Sequence, residues 1–374
     1  MNSRHPRLLV AISGHGFGHA TRTAEVAREL VFLRPNLELT ISSTSPRRLF
    51  EHPASSQISH RSQAYEPGTI QKNCFEVDLK ATCEAYERYQ RERSLHLEAE
   101  VQFLRDGEYS GVLADIPAVA IEAASRAGVP SAAMWNFTWD WILEPIISSE
   151  HGASASLSEL VLQMRSAYSG AGLHLKLPFS PVKTPFPGVE PAPLVGRRSS
   201  VPREVTLRKV GMNPLDKRPI VLVAMGGWDC GHWPPIIVKG CKDFRFLVVG
   251  DVPLETQAQT QALPASLAPG YKFFDLVRAA DVVLSKPGYG IASECVVNRT
   301  PLLGVERGGF REIPELLRDL SDFGPFAEIS MANFFAGQWE DSLYSVLTST
   351  TAWKPTEYDG ALRVAHRLCE FYGI

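Results

Sequence analysis

The sequence predicts an α/β protein made of two doubly wound parallel-sheet domains, and three observations carry that expectation. Short apolar runs that end in glycine-rich turns alternate with amphipathic stretches, a proline-rich segment interrupts this rhythm once near the middle, and the rhythm then restarts. At about 150 residues per domain, the 374 residues suit two domains of roughly 190 residues each. Hydrophobic residues at 44%, charged residues at 21% and a mean hydropathy near zero exclude disordered, collagen-like and coiled-coil chains.

Residues 7–13 (RLLVAIS) read as a buried strand ended by glycines. Residues 20–34 follow with Val26, Leu30 and Leu33 at helical spacing until Pro35 stops them. A second strand is expected at 37–42. Residues 111–114, 119–126 and 131–135 then repeat strand, helix, strand around the Gly128-Val129-Pro130 turn. Between these units, 79–104 is charged and free of breakers, as one long helix with a solvated face would be. Seven prolines in the 25 residues 178–202 mark an extended linker. Beyond it, buried strands are expected at 220–225, 244–250, 281–284 and 301–305, and 359–372 forms an amphipathic helix. The expected organisation is a first domain over 1–178, a linker over 179–204, a second domain over 205–356, and a terminal helix over 357–374 packing back on the first domain. Doubly wound sheets bind ligands beyond the carboxyl ends of their strands, so function is sought in those loops.

Lys plus Arg number 38 against 41 Asp plus Glu, a net charge of −3, which does not supply the basic surface that nucleic-acid binding requires. The apolar run 8–12 is far shorter than the roughly 20 residues that span a bilayer. No basic amphipathic helix argues for membrane docking, and a cytoplasmic protein is expected. The six cysteines form no C-x-x-C pair, which argues against zinc knuckles and disulfide frameworks.

The first chemical loop is 13–22 (SGHGFGHATR). Gly14, Gly16 and Gly18 let a ligand approach the backbone, and the helix behind them favours an anionic or polar oxygen. It is no dinucleotide fingerprint: the spacing is G-x-G-x-G, and 40–43 offers no acidic residue for a ribose. An imidazole at a strand end suits general-base work, with His19 the candidate and His15 its alternative. Asp115 ends the strand on the same sheet edge and is the candidate orienter of His19, although it could simply cap the next helix. Asn136, Phe137, Trp139 and Asp140 form an aromatic and amide cluster of the kind that lines sugar-sized pockets, with a hydrophobic core patch the even alternative.

In the second half, Gly226-Gly227 is a weak phosphate cradle. The stronger loop is 285–294 (SKPGYGIASE). Here Gly288 and Gly290 open a helix suited to diphosphate, Lys286 adds charge, and Glu294, one turn in, is placed for ribose hydroxyls. No D-x-D triplet occurs, so neither a metal nor another cofactor is expected. Phosphate charge must then be met by helix dipoles, backbone N–H groups and basic side chains.

Taken together, GHGFGHATR (14–22), ADIPAVAIEAASRAGVP (114–130), NFTWDWI (136–142), KPGYGIASE (286–294) and AGQW (336–339) resemble the two-domain GT-B glycosyltransferases. Within them the chain is most similar to the glycosyltransferase-like N-terminal half of plant L-arabinokinases. The G-Y-G-x-x-S-E helix is also similar to that of the peptidoglycan N-acetylglucosaminyltransferase. The resemblance implies a nucleotide-sugar donor, with UDP the expected nucleotide, on the second domain. The Phe274 backbone would meet the base, Glu294 the ribose, and Gly227, Gly288, Tyr289 and Gly290 the phosphates. Gly16, Gly18, Arg22, Gly226, Lys286 and Ser293 complete the donor-side candidates, and Asn136, Phe137, Trp139 and Asp140 lie on the acceptor side. His19 matches the family's acceptor-deprotonating histidine, and Asp115 its orienting aspartate. The chain ends at Ile374 with no kinase half, so sugar 1-phosphorylation is not expected. The reading is an inverting, metal-independent glycosyltransferase acting on a hydroxyl acceptor. A nucleotide-sugar epimerase or hydrolase and a non-catalytic nucleotide-sugar-binding module are its alternatives. Acceptor specificity is expected in 53–73 and 135–158, while the sugar, the acceptor and the oligomeric state are left open.

Overall fold

Parallel neighbours need a crossover, and right-handed crossovers over helices lay successive strands side by side. The computed structural model realises this twice; it describes residues 5–50, 55–149, 154–226, 234, 237, 241–250, 260–264, 267 and 270–374. The chain divides into two compact units. The first comprises Met1–Ile70, Asp78–Val195 and Asp359–Ile374, and the second comprises Gln71–Val77 and Gly196–Tyr358.

In the first unit, β1 (Arg7–Ile12), α1 (Phe17–Leu33), β2 (Glu38–Ser42) and β3 (Ile58–Arg61) come first. After β4 (Gln71–Asn73) and β5 (Glu76–Val77), which pair with each other, the chain resumes with α2 (Leu79–Asp106), β6 (Gly111–Asp115), α3 (Ala118–Ala127) and β7 (Ser131–Trp135). Then follow α4 (Trp139–Ser149), α5 (Ala155–Ser169), β8 (Leu173–Lys176) and β9 (Val189–Pro191). Among the described residues the sheet order is β3-β2-β1-β6-β7-β8-β9, parallel throughout. Order reverses between β1 and β6, where register pairs Ile12 with Asp115. Strand β1 is covered on both faces, with Leu8, Leu9 and Val10 fully buried, as the unalternating run in its sequence requires.

The second unit holds α6 (Arg203–Lys209), β10 (Ile220–Ala224), β11 (Arg245–Val249), β12 (Thr260–Leu263), α7 (Phe273–Ala279) and β13 (Val282–Ser285). These are followed by α8 (Tyr289–Asn298), β14 (Leu302–Val305), α9 (Glu312–Phe323), β15 (Phe326–Ile329), α10 (Met331–Ala336) and α11 (Glu340–Leu347). Its parallel sheet, β12-β11-β10-β13-β14-β15, is the doubly wound order, and it reverses between β10 and β13. The last helix, α12 (Gly360–Tyr372), belongs to the first unit and packs on α1. There the Tyr372 hydroxyl donates to the Val112 carbonyl at 2.5 Å, and Arg367 grips Glu190 at 2.7 and 2.8 Å.

Two features differ from the sequence expectation. The segment read as linker over 179–204 is part of the first unit through Val195, because β9 adds to the sheet edge against β8. Its prolines suit an edge strand, whose outer N–H groups need no partner. The second feature is the hairpin Gln71–Val77, which precedes α2 in sequence yet belongs to the second unit. There Cys74 and Phe75 are buried in one core cluster with Val221, Val305 and Phe334.

Candidate functional site

The sequence-predicted residues gather at the two strand-order reversals, one in each unit. In the first, Gly16 caps α1 with φ of 74°, a left-handed conformation that favours glycine. The helix then presents His19 and Arg22 on one face, three residues apart. His19 is buried, and its Nδ1 lies 2.8 Å from Asp115 Oδ1. In the tautomer whose Nδ1–H donates to the accepting carboxylate, Nε2 keeps its lone pair.

Asp115 is fully buried and heavily engaged. Arg22 donates through Nε to Oδ2 at 2.7 Å and through Nη2 to Oδ1 at 2.5 Å, and the Thr23 hydroxyl donates to Oδ2 at 2.5 Å. Burial would raise the carboxyl, but the charge of Arg22, the neighbouring imidazole of His19 and the hydrogen bonds from both overcome it and hold Asp115 well below the usual carboxylate range. Arg22 Nη2 is also 3.0 Å from His19 Nδ1, so the orienting anion and the guanidinium both meet the same ring nitrogen.

This arrangement corrects several expectations. Arg22, a donor-side candidate, is turned inward. It is 2% exposed, and its Nη1 donates to Asn136 Oδ1 at 2.5 Å. Asn136 is thereby its acceptor inside the network rather than a pocket wall. Phe137 meets the His19 ring edge-on at 5.4 Å, and Trp139 meets His15 in the same way at 5.4 Å. Both aromatics lie in the core cluster of the first unit, bracing the histidines from inside, which is the core alternative. Asp140 is buried and accepts from Arg165 Nε at 3.0 Å. Gly18 lies within α1, its carbonyl accepting from the Thr21 hydroxyl at 3.2 Å. His15 is less buried, with Nε2 3.2 Å from the Thr69 hydroxyl and its ring against Gly68.

One titratable group here escaped sequence reasoning. Glu66 accepts from Trp139 Nε1 at 2.9 Å and from Ser13. Burial, partly offset by these two donors and reinforced by the charge of Asp115, lifts its carboxyl to about 7. Its sequence context, a Tyr-Glu-Pro-Gly turn, carries no periodicity or motif that would have singled it out.

In the second unit, register pairs Ala224 with Ser285, so Gly226 and Lys286 leave adjacent strand ends. Gly226 has φ of 64°, and a Cβ there would meet Lys286 Cε at 3.3 Å. Gly227 lies outside the described residues. Gly288 caps α8, and the space where its Cβ would stand is open. Tyr289 is buried and Gly290 lies in the first helical turn. The Ser293 hydroxyl is spent on the Gly290 carbonyl at 3.0 Å, and its Cβ faces Gly196, which turns it away from a donor-side role.

Glu294 is 3% exposed and accepts from Arg197 Nε at 2.6 Å. The Arg197 guanidinium lies 5.1 Å from the Phe274 ring centre, so Glu294, Arg197 and Phe274 form one cluster. Asn298 fixes the strand of chain that carries Arg197, donating to the Arg197 carbonyl at 2.9 Å and accepting from Ser199 N at 2.9 Å. Arg197 was also missed, since an arginine in a proline-rich stretch gives no sign of the helix it will lie on.

Among the described residues no group of three or more His, Cys, Asp or Glu side chains could hold a metal ion, and no helix is long and apolar enough to cross a membrane.

No protein-family model matches the chain. It is 29% identical over 343 residues to L-arabinokinase from Arabidopsis thaliana, an alignment covering 90% of this chain and 32% of that protein. The chain thus spans about a third of the length of this curated relative. Among solved structures, a UDP-glucosyltransferase from Polygonum tinctorium superposes with a TM-score of 0.63 at 13% identity, covering 100% of both chains. The calicheamicin glycosyltransferase CalG4 gives 0.60 at 15% identity over 99% of this chain and 95% of its own. UGT2 from Phytolacca americana, complexed with UDP-2-fluoro-glucose and pterostilbene, gives 0.61 at 13% identity over 99% and 100%. The fold is GT-B.

Proposed function

We propose that the chain is an inverting, metal-independent glycosyltransferase that moves a sugar from a nucleoside-diphosphate sugar, UDP-linked by preference, to a hydroxyl acceptor. The observation that carries this reading is the His19–Asp115 pair at 2.8 Å on the carboxyl edge of β1 and β6. His19 Nε2 takes the acceptor hydroxyl proton as the oxygen attacks the anomeric carbon, and the bond to the diphosphate oxygen breaks with inversion. Asp115 stabilises the imidazolium that forms. On the second unit, the N-terminus of α8 and Lys286 meet the charge of the departing diphosphate, while Glu294 holds the ribose. The solved neighbours support a UDP-sugar through their names, two of which carry UDP.

The test is turnover of a nucleotide-sugar panel by His19→Ala against the unaltered protein. A loss of about 10²-fold or more is expected from removing a general base, and an unimpaired variant overturns the mechanism. A second reading, a binding module without turnover, draws on Arg197 already holding Glu294. Nucleotide binding by calorimetry without product under any acceptor would favour it, whereas donor loss with no acceptor present would favour a hydrolase or epimerase.

A further inference from the structure

In the second unit, two half-buried cationic side chains follow neighbouring strand ends. Register pairs Ser285 of β13 with Gly304 of β14, so Lys286 and Arg307 follow adjacent parallel strands out of the same sheet edge. Arg307 reaches back over the first loop: its Nη1 donates to the Pro287 carbonyl at 3.2 Å, one residue before the cap of α8. Its guanidinium lies on the Phe310 ring at 3.4 Å, and its Nε is buried with no hydrogen-bond partner among the described residues.

The loop that carries Arg307 is held by the hairpin Gln71–Val77. Gly308 N donates to the Phe75 carbonyl at 3.1 Å, Glu76 bridges Gly308, and a Cβ on Gly309 would touch Val77 at 3.6 Å. Phe75 is anchored edge-on against Phe334 and Phe335. The excursion of seven residues out of the first unit's sequence therefore ends in a support for Arg307.

Two like charges held partly out of water repel each other, and an anion received between them relieves that repulsion. We propose that Arg307 is a phosphate-binding residue that, with Lys286 and the N-terminus of α8, forms the cationic wall receiving the departing diphosphate. This deepens the glycosyl-transfer reading and rests on it for the identity of the anion. Arg307 is the fork-shaped partner suited to bidentate phosphate contact, and Lys286 the point charge. The electrostatics agree. Burial first, then the charge of Arg307, brings the Lys286 ammonium down to about 7, against the pull of Cys74 and Glu312. Burial also brings Arg307 down to about 10, against Glu312 and Cys74. An arriving anion reverses the balance at Lys286 and draws a proton onto it.

The experiment is calorimetry on the full chain with inorganic pyrophosphate, UDP and uridine, using the unaltered protein, Arg307→Gln and Arg307→Lys. The unaltered protein is expected to bind pyrophosphate. Arg307→Gln should weaken pyrophosphate and UDP by about tenfold or more and leave uridine unchanged, and Arg307→Lys should recover part of the loss. Equal pyrophosphate binding by Arg307→Gln, or none by the unaltered protein, overturns the proposal. Pyrophosphate binding with these losses, but no UDP binding, keeps the anion site and removes the donor reading. UDP binding indifferent to Arg307→Gln removes the site and leaves the donor reading standing. Should Arg307→Gln fail to fold, proton uptake decides. Sulfate stays fully ionised, so its binding near pH 8.5, read in buffers of different ionisation heat, must take up protons in the unaltered protein and not in Lys286→Met. Zero uptake in the unaltered protein overturns the proposal.

Discussion

The two strand-order reversals carry opposite electrostatic designs. At the first, the Asp115 carboxylate is met on the spot by Arg22, His19 and Thr23, so its charge is answered from within the protein. At the second, Lys286 and Arg307 are cations set against each other, with Glu312 and Cys74 as lesser counterweights. A charge answered from within fixes geometry, as the proposed base needs. Like charges drawn together cost stability and favour an arriving anion, as the proposed leaving-group site needs.

Opposite designs predict opposite responses to deletion. The largest effect is expected for Asp115→Ala, which strands a buried Arg22. Unfolding in urea should show a loss of about 3–5 kcal/mol, and an unchanged midpoint would mean that the network does not hold the first unit together. The pH dependence has a definite sign. The folded-state pKa of Asp115 is lowered, so its stabilisation is present above the unfolded carboxylate range and is lost as pH falls through the folded value.

Lys286→Met should act in the other direction. The folded pKa of about 7 lies below the ordinary 10.5, so the folded state binds fewer protons than the unfolded chain between these values. The unaltered protein should then gain stability as pH rises from 7 to 10.5. The variant should lack that slope and be the more stable of the two near pH 7; a thermal midpoint that falls on substitution would break the contrast.

The smallest effect concerns Glu66. Its folded pKa of about 7 lies above the ordinary 4.5, so the folded state holds the extra proton and stability declines as pH rises between them. Glu66→Gln keeps an oxygen for Trp139 Nε1 and should flatten that decline in a midpoint-against-pH series. An unaltered slope would show that the carboxyl is not held out of water.

Legibility in the sequence follows the range of the forces involved. Although α1 starts at Phe17, a turn before the expected residue 20, strand β1, the body and end of α1 and the long α2 were readable because hydrophobic period and breakers act within a few residues. So was the proximity of His19 to Asp115, because both follow strand ends and the doubly wound order makes those ends neighbours. The same logic put Lys286 and Gly288 at a sheet edge before α8. Phe137 and Trp139 were ambiguous, since an aromatic at a strand end can face a pocket or a core with the same local pattern.

Other assignments required the folded chain. Arg22 lies on a helix whose spacing is plain, yet whether it faces a ligand or Asp115 depends on a carboxylate 93 residues away. Arg197 meets Glu294 97 residues on, and the hairpin carrying Phe75 is built into a core whose other members begin at Val221. Amphipathic period and turn chemistry report only which face of an element is apolar and where it stops. They carry no information about which distant charge will lie across from a side chain once water is excluded. The chain's alternating pattern therefore sufficed for two parallel sheets and the loops at their edges, while the pairing of buried charges, and with it the chemistry of each edge, was decided by packing.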